Sequence, residues 1–209
     1  MNNLICLDLE ASCNDSPKLH PDLMEIIEIG ACLVDKNGKV LDQFQTFVKP
    51  SSSALLTPFC TQLTTITQAD VDGAPGFVQA VEAFEEWIAK CVTQFGPVDF
   101  WGSWGAFDRN QFERNARLVN VPPPDFLSQI EHRNLKNLYG NAVGMKDRGP
   151  GLGKALNYEG IKFSGTKHRG IDDALNISRL VPVCLGIKQS QWRDSPAAKR
   201  QKSEVRPNG

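Results

Sequence analysis

The chain has 209 residues, of which 41% are hydrophobic and 22% are charged, a composition typical of a soluble domain with a sizeable core. Its 23 basic and 24 acidic side chains give a net charge of −1, which excludes a protein that coats long nucleic acids through a strongly basic surface. No run of about 18 apolar residues is present, so we expect no transmembrane helix, and the early charge at Asp8 argues against a signal peptide.

The charges are unevenly distributed along the chain. Residues 186–209 hold six basic and two acidic side chains, a net of +4, which leaves −5 on residues 1–185 because the whole chain carries −1. We predict that residues 1–185 form one domain and that the polar residues 186–209 form a disordered basic tail. Two interpretations of this tail stay open: contact with the phosphates of a nucleic acid, or a solvated terminus.

The six cysteines include no pair with CxxC spacing, so a zinc site is not expected. Several of them lie in apolar runs, where a free thiol behaves as a small core residue. Free thiols without a secretion signal are typical of a reducing compartment, and we therefore predict a cytoplasmic protein.

The first elements in chain order are three strands followed by helices. The second and third strands are separated by Asn37 and Gly38, a turn sequence that predicts an antiparallel hairpin. Short helical pieces follow, with Thr67 as an N-cap, and then a longer helix with apolar residues at three- and four-residue spacing. The predicted strands are 4–10, 26–34 and 40–48, and the predicted helices are 61–72 and 75–92.

The remainder of the chain alternates between strand and helix. The predicted elements are a strand at 98–104 and helices at 107–119, 128–138, 151–158 and 171–183. Strands that alternate with helices after an antiparallel hairpin predict a mixed sheet with helices on both faces. The predicted fold class is therefore α/β, with three α/β/α layers.

Two carboxylates mark the end of the first predicted strand. Asp8 and Glu10 are two residues apart, so their side chains emerge on one side, whereas Leu7 and Leu9 point the other way into a core. Paired carboxylates repel each other unless a cation lies between them, and Mg²⁺ prefers such oxygen ligands. The alternative interpretation is that the strand simply runs out into solvent at Glu10.

Further acidic residues lie at the predicted starts of two helices. Asp108 follows a strand and begins a helix, and Asp172 and Asp173 lie in the first turn of the last helix, just after His168. Each acid has a simpler interpretation, because a carboxylate in a first helical turn is stabilised by the helix dipole or acts as a cap. Residues just beyond strand ends also face the crevice where α/β sheets bind ligands.

Taken together, these residues resemble the three motifs of the DEDDh 3′→5′ exonucleases, a superfamily with a ribonuclease-H-like fold. The motifs are Asp8-x-Glu10, Phe107-Asp108 and His168 followed five residues later by Asp173. Residues 25–31, 59–67 and 168–177 are similar to the Eri-type branch of exoribonucleases and its bacterial relatives. Eukaryotic members often carry an additional RNA-binding domain before the nuclease, so their substrate choice does not transfer to this chain.

The resemblance implies a two-metal mechanism. Two Mg²⁺ or Mn²⁺ ions about 3.5–4 Å apart would clamp the scissile phosphate. Asp8 would bridge both ions, Glu10 and Asp173 would complete the first site, and Asp108 would hold the second. His168 would act as the general base on the attacking water. The family pattern selects Asp173 over Asp172, a choice that the residue types leave open.

The resemblance also implies residues that hold the terminal nucleotide. The backbone at Glu10 and Ala11 would contact the sugar hydroxyls, beside His168, and aromatic side chains would stack on the base. The stacking candidates are Phe59, Trp104 and Phe107, and Met24 would line the same pocket. Core packing is the alternative interpretation for each aromatic residue.

The expected function is a metal-dependent 3′→5′ exoribonuclease that releases nucleoside 5′-monophosphates from single-stranded RNA. One alternative is the same chemistry on DNA. Another is a regulatory binding protein with little nuclease activity. The expected partners are RNA 3′ ends and the nucleotide product, with no membrane, and the sequence predicts no particular protein partner.

Overall fold

A computed structural model describes residues 3–52, 55–145 and 148–194 of the chain. The strands in these ranges form one mixed sheet in the order β3-β2-β1-β4-β5, in which β1 pairs antiparallel to β2 and parallel to β4. The strands are β1 (Asn3–Ala11), β2 (Ile26–Asp35), β3 (Val40–Phe47), β4 (Val98–Ser103) and β5 (His132–Asn134). The predicted hairpin is confirmed, since β2 and β3 pair antiparallel.

Helices cover both faces of the sheet, which confirms the predicted α/β/α architecture. They are α1 (Pro58–Thr64), α2 (Gln68–Asp72), α3 (Phe77–Phe95), α4 (Phe107–Leu118), α5 (Phe126–Gln129), α6 (Leu135–Val143), α7 (Leu152–Tyr158), α8 (Gly170–Ser178) and α9 (Val181–Cys184). Thr67 caps α2 as predicted, within a reciprocal capping box with Asp70. None of the described helices combines the length and apolarity needed to cross a bilayer.

The alternation of side chains along β1 decides which face carries the acids. Ile5 and Leu7 join the core under α3 and α4, whereas Leu4 and Cys6 join the core under α6 to α9. A period of two then places Asp8 and Glu10 on the same face as Leu4 and Cys6, toward α8. The two acids therefore follow the buried residues Leu4 and Cys6 on the same face of β1, at the end of the central strand.

Two predicted helices are wrong in their extent. The helix predicted at 128–138 is divided into the end of α5, the short strand β5 and the start of α6, because the Trp101 N–H donates to the Glu131 carbonyl at the sheet edge. The helix predicted at 171–183 is divided into α8 and α9. Pro182 explains this break, since its ring clashes with the carbonyl four residues earlier and it lacks an N–H.

The chain continues to pack against the domain beyond the predicted boundary at residue 185. Glu159 is a buried carboxylate that accepts hydrogen bonds from the Ser190 hydroxyl and, at 3.0 Å, from the Gln191 N–H. Trp192 stacks on Tyr158 with ring centroids 3.9 Å apart. Residues 195–209, which contain most of the predicted basic tail, lie outside the described residues.

Candidate active site

Three carboxylates meet at the end of β1. One oxygen each of Asp8, Glu10 and Asp173 lies within 4.8 Å of the other two, although Asp173 comes from the first turns of α8. Glu10 is buried, and Asp8 and Asp173 are partly buried. We call these three residues the carboxylate cluster.

The cluster is unfavourable when all its members are ionised. Burial, followed by repulsion from Asp173 and Glu28, raises the pKa of Glu10 to about 8. Burial also raises the pKa of Asp173 to about 6, and burial together with the neighbouring acids raises the pKa of Asp8 well above its usual range. Such shifts indicate that the basic side chains among the described residues, including Arg169, do not fully offset the charge of these acids.

Asp108 lies beside the cluster and fastens β1 to α4. Its Oδ1 accepts a hydrogen bond of 3.0 Å from the Leu9 N–H, between the two acids of β1, and its side chain is buried. Asp108 lies in the first turn of α4, as the simpler helix-cap interpretation expects, but its carboxylate also reaches across to the strand. Burial raises the pKa of Asp108 to about 6.

His168 approaches the cluster through its backbone. It adopts a left-handed conformation with φ of 60°, and its N–H donates a 2.7 Å hydrogen bond to Oδ2 of Asp173. His168 is an exposed residue. Asp172 has a different task, because its Oδ2 accepts from the Thr166 N–H at 2.7 Å and so orders the loop before α8. The structure thus separates two adjacent acids that residue type left equivalent.

A glycine contact brings α8 against the sheet. Gly30 on β2 is the strand partner of Asp8, and a Cβ added to Gly30 would lie 2.0–2.1 Å from the backbone of Gly170 and Ile171. A Cβ on Gly170 would likewise lie 2.9 Å from the Asp8 carbonyl oxygen. Because neither residue has a side chain, the first turn of α8 rests directly on β1 and β2, and Asp173 reaches the two strand acids.

Glu28 is a residue near the site that the sequence predictions missed. It is the cross-strand partner of Glu10, is fully buried, and forms an ion pair with Arg169 at 3.1 Å. The available signal was positional, since a glutamate inside an otherwise apolar strand needs a buried partner.

The predicted base-stacking residues occupy different environments. Trp104 is partly buried, donates through Nε1 to the Pro150 carbonyl at 2.9 Å and packs near Tyr139, contacts that favour the core-packing interpretation. Phe107 is 41% exposed, next to Asp108. Of the remaining candidates, Phe59 and Met24 are partly buried and Ala11 is buried. Nucleotide contacts by these residues stay a prediction.

Comparison with known proteins gives this geometry a family. Residues 5–181 match the Exonuclease family (RNase_T). The chain belongs to this family. The nuclease domain of 3′hExo, described as a DEDDh family member bound to rAMP, superimposes with a TM-score of 0.77 at 26% identity, covering 87% of this chain and 90% of that one. The resemblance inferred from the three motifs is therefore confirmed.

Curated exonuclease relatives agree with this assignment. ERI1 exoribonuclease 3 of Homo sapiens is 34% identical over 184 residues, which cover 85% of this chain and 52% of the relative. The 3′-5′ exonuclease eri1 of Schizosaccharomyces pombe is 28% identical over 200 residues, covering 85% of this chain and 66% of the relative. The chain spans about half the length of the first of these relatives.

The family implies the use of a divalent metal, and the donor set fits one. Hard cations prefer carboxylate oxygens, and the cluster offers three of them, close enough together to bind one shared ion. Burial, with repulsion from neighbouring acids, raises the pKa values of Glu10 and Asp173, and a bound cation would favour their ionised forms.

The raised pKa values predict how stability without metal depends on pH. Folded Glu10 keeps its proton up to pH about 8, whereas an unfolded glutamate with pKa 4.5 has already lost it. The unfolded state binds fewer protons, so the free energy of unfolding should fall as pH rises from about 6.5 to 8, on the order of 1 kcal/mol per pH unit for each proton retained. Thermal melting in EDTA measures this slope.

Neighbouring titratable groups set the pH range over which this slope should be seen. Burial lowers the pKa of His132 to about 4, which gives stability the opposite slope at acid pH and sets the lower limit at about 6.5. Glu10→Gln should make the slope above this limit shallower, because it removes one of the groups that retain a proton. Added Mn²⁺ should raise the melting temperature more at pH 8 than at pH 6.5, and equal increments would contradict the prediction.

Proposed function

We propose that this chain is a metal-dependent 3′→5′ exoribonuclease that releases nucleoside 5′-monophosphates from single-stranded RNA in the cytoplasm. The observation that carries the proposal is the carboxylate cluster at the end of β1, in a fold shared with a nuclease domain bound to rAMP. The Eri-type relatives, which are named as exoribonucleases, support RNA as the substrate class.

Two Mg²⁺ or Mn²⁺ ions are proposed as the cofactors. Asp8, Glu10 and Asp173 would hold one ion, and Asp108 would help to hold a second, since its side chain adjoins the backbone of Leu9. When bound, the ions supply positive charge that offsets the charge developing on the phosphate during hydrolysis. The four carboxylates give this part of the protein the negative charge that gathers such ions.

The residues of the chain then divide the remaining work. Water attacks phosphorus, the bond from phosphorus to the 3′-oxygen of the preceding nucleotide breaks, and that oxygen takes up a proton. His168 accepts the proton of the attacking water. Its residue is exposed, and the hydrogen bond from its backbone N–H to Asp173 holds it beside the cluster. The exposed ring of Phe107, beside Asp108, is placed to stack on a base.

Digestion of matched labelled oligonucleotides tests the proposal. We expect 5′-labelled RNA to shorten progressively from its 3′ end with Mg²⁺ or Mn²⁺, with release of 5′-monophosphates, and to stay intact in EDTA. RNA should be degraded faster than DNA of the same sequence. Faster cleavage of DNA would indicate a DNA exonuclease, and no nucleotide release with either metal would indicate the regulatory binding protein.

A further inference from the structure

We propose that Glu28 is a positioning residue that holds His168 and Asp173 in register with the strand acids. This inference rests on the proposed function, which gives His168 and Asp173 their tasks. Glu28 acts through the backbone between those two residues, and we assign it no contact with substrate or metal.

The contacts of Glu28 converge on the entry to α8. Its Oε2 accepts from the Gly170 N–H at 3.0 Å and from Nε of Arg169 at 3.1 Å. Residues 169 and 170 directly follow His168 and precede Asp173 by one helical turn, and the Asp173 N–H bonds to the Arg169 carbonyl at 2.8 Å. One carboxylate oxygen therefore fixes the chain segment that carries both functional residues.

The other side of Glu28 is anchored in the sheet. Its Oε1 accepts from Nε2 of Gln45 on β3 at 3.1 Å, and its backbone pairs with that of Glu10 on β1. The side chain has no exposed surface, so water cannot replace a lost hydrogen bond. Glu28 thus joins three strands to the first turn of α8.

The left-handed backbone conformation of His168 needs hydrogen bonds from its surroundings to hold it. His168 has φ of 60°, a conformation that a non-glycine residue holds only when its surroundings impose it. The contacts that impose it are the bond from the His168 backbone N–H to Asp173 and the two bonds from residues 169 and 170 to Glu28. Arg169 contributes further by packing over the ring of Phe47, 5.0 Å from its centroid.

A pair of substitutions separates the position of Glu28 from its charge. Glu28→Asp keeps the charge but withdraws the carboxylate by one methylene from the Gly170 N–H. Glu28→Gln removes the charge but keeps an oxygen for Gly170 and Arg169, while its amide donates to Gln45 once that side chain turns its own oxygen inward. Positioning therefore predicts that Glu28→Asp is the damaging change and that Glu28→Gln is tolerated.

Glu159→Asp is the matched control. Glu159 is also a buried carboxylate that accepts a backbone N–H, but its partners are Tyr139, Ser190 and Gln191, away from the entry to α8. Shortening it should cost stability of a similar kind without changing kcat or metal affinity.

Three measurements decide the proposal. For Glu28→Asp we expect kcat to fall about 10–100-fold with KM nearly unchanged, Mn²⁺ affinity measured by calorimetry to fall by a similar factor, and amide exchange at 168–173 to accelerate. Glu28→Gln should stay within about threefold of the parent in all three. Calorimetry and amide exchange need no nuclease activity, so they test Glu28 even if the proposed function fails.

Other outcomes would overturn the proposal. A tolerated Glu28→Asp with a damaged Glu28→Gln would assign the residue an electrostatic role. Equal losses of kcat and Mn²⁺ affinity in Glu28→Asp and Glu159→Asp would show that Glu28 contributes only to the stability of the fold. If Glu28→Asp does not fold, Glu28→Gln alone decides, because a loss of more than about tenfold there contradicts positioning by hydrogen bonds.

Discussion

Asp8→Asn is expected to lower the rate of metal-dependent RNA degradation by about 10³-fold or more. Asp8 is the central member of the carboxylate cluster, since its pKa is raised by burial and then by Asp108, Glu10 and Asp173. Metal ions contribute several kcal/mol of charge stabilisation, and each 1.36 kcal/mol corresponds to about a factor of ten in rate. Single-turnover digestion of labelled RNA at saturating Mn²⁺ measures the loss.

The same variant should be at least as stable as the parent without metal. Asp8→Asn removes one of several crowded acids, so its melting temperature in EDTA at pH 8 is expected to equal or exceed that of the parent. Asp72→Asn is the matched control, because Asp72 is an exposed carboxylate on α2 outside the cluster. Parental activity in Asp8→Asn would refute the assignment, whereas a lowered melting temperature would attribute any loss to folding.

Gly30→Ala is expected to destabilise the protein by about 3 kcal/mol or more, lowering the melting temperature by roughly 6–12 °C. Its new Cβ would lie 2.0 Å from the Ile171 nitrogen and 2.1 Å from the Gly170 carbonyl carbon. Backbone atoms cannot rotate aside as a flexible side chain can, so α8 must move away from the sheet. Asp173 moves with it, and Mn²⁺ affinity should fall together with stability.

Gly153→Ala supplies the comparison for this change. A Cβ on Gly153 meets no atom within 4 Å, and the residue lies in helix α7. Alanine is the better helix former, so stability should stay level or rise by at most about 1 kcal/mol. If Gly30→Ala melts as Gly153→Ala does, the close approach of α8 to the sheet is not what places Asp173.

Some features of the site could be predicted because they depend on local sequence. The spacing of Asp8 and Glu10 on one strand fixes a shared face, and Asn37-Gly38 between two apolar runs specifies a hairpin. His168 and Asp173 are linked over one short segment, so their motif spacing carries information. These are relations within a single element or across one turn.

Other features depended on contacts between distant segments. The apolar strand around Glu28 indicates that this residue needs a buried partner, but its partners Arg169 and Gly170 are about 140 residues away. Strand β5 has three partly buried polar residues and no apolar alternation, so only its pairing with β4 makes it a strand. The bond from Trp104 to the Pro150 carbonyl also joins segments that are far apart in sequence, so the packing of this side chain could not be predicted.

By itself, the sequence determined the α/β class, the order of the acidic motifs and the near-neutral charge, because composition and short-range periodicity are properties of the chain alone. The tertiary structure decided that Asp173 rather than Asp172 joins Asp8 and Glu10. The physical reason is the glycine contact between β2 and α8, together with the buried bonds of Glu28, which set how closely and at what rotation the helix meets the sheet.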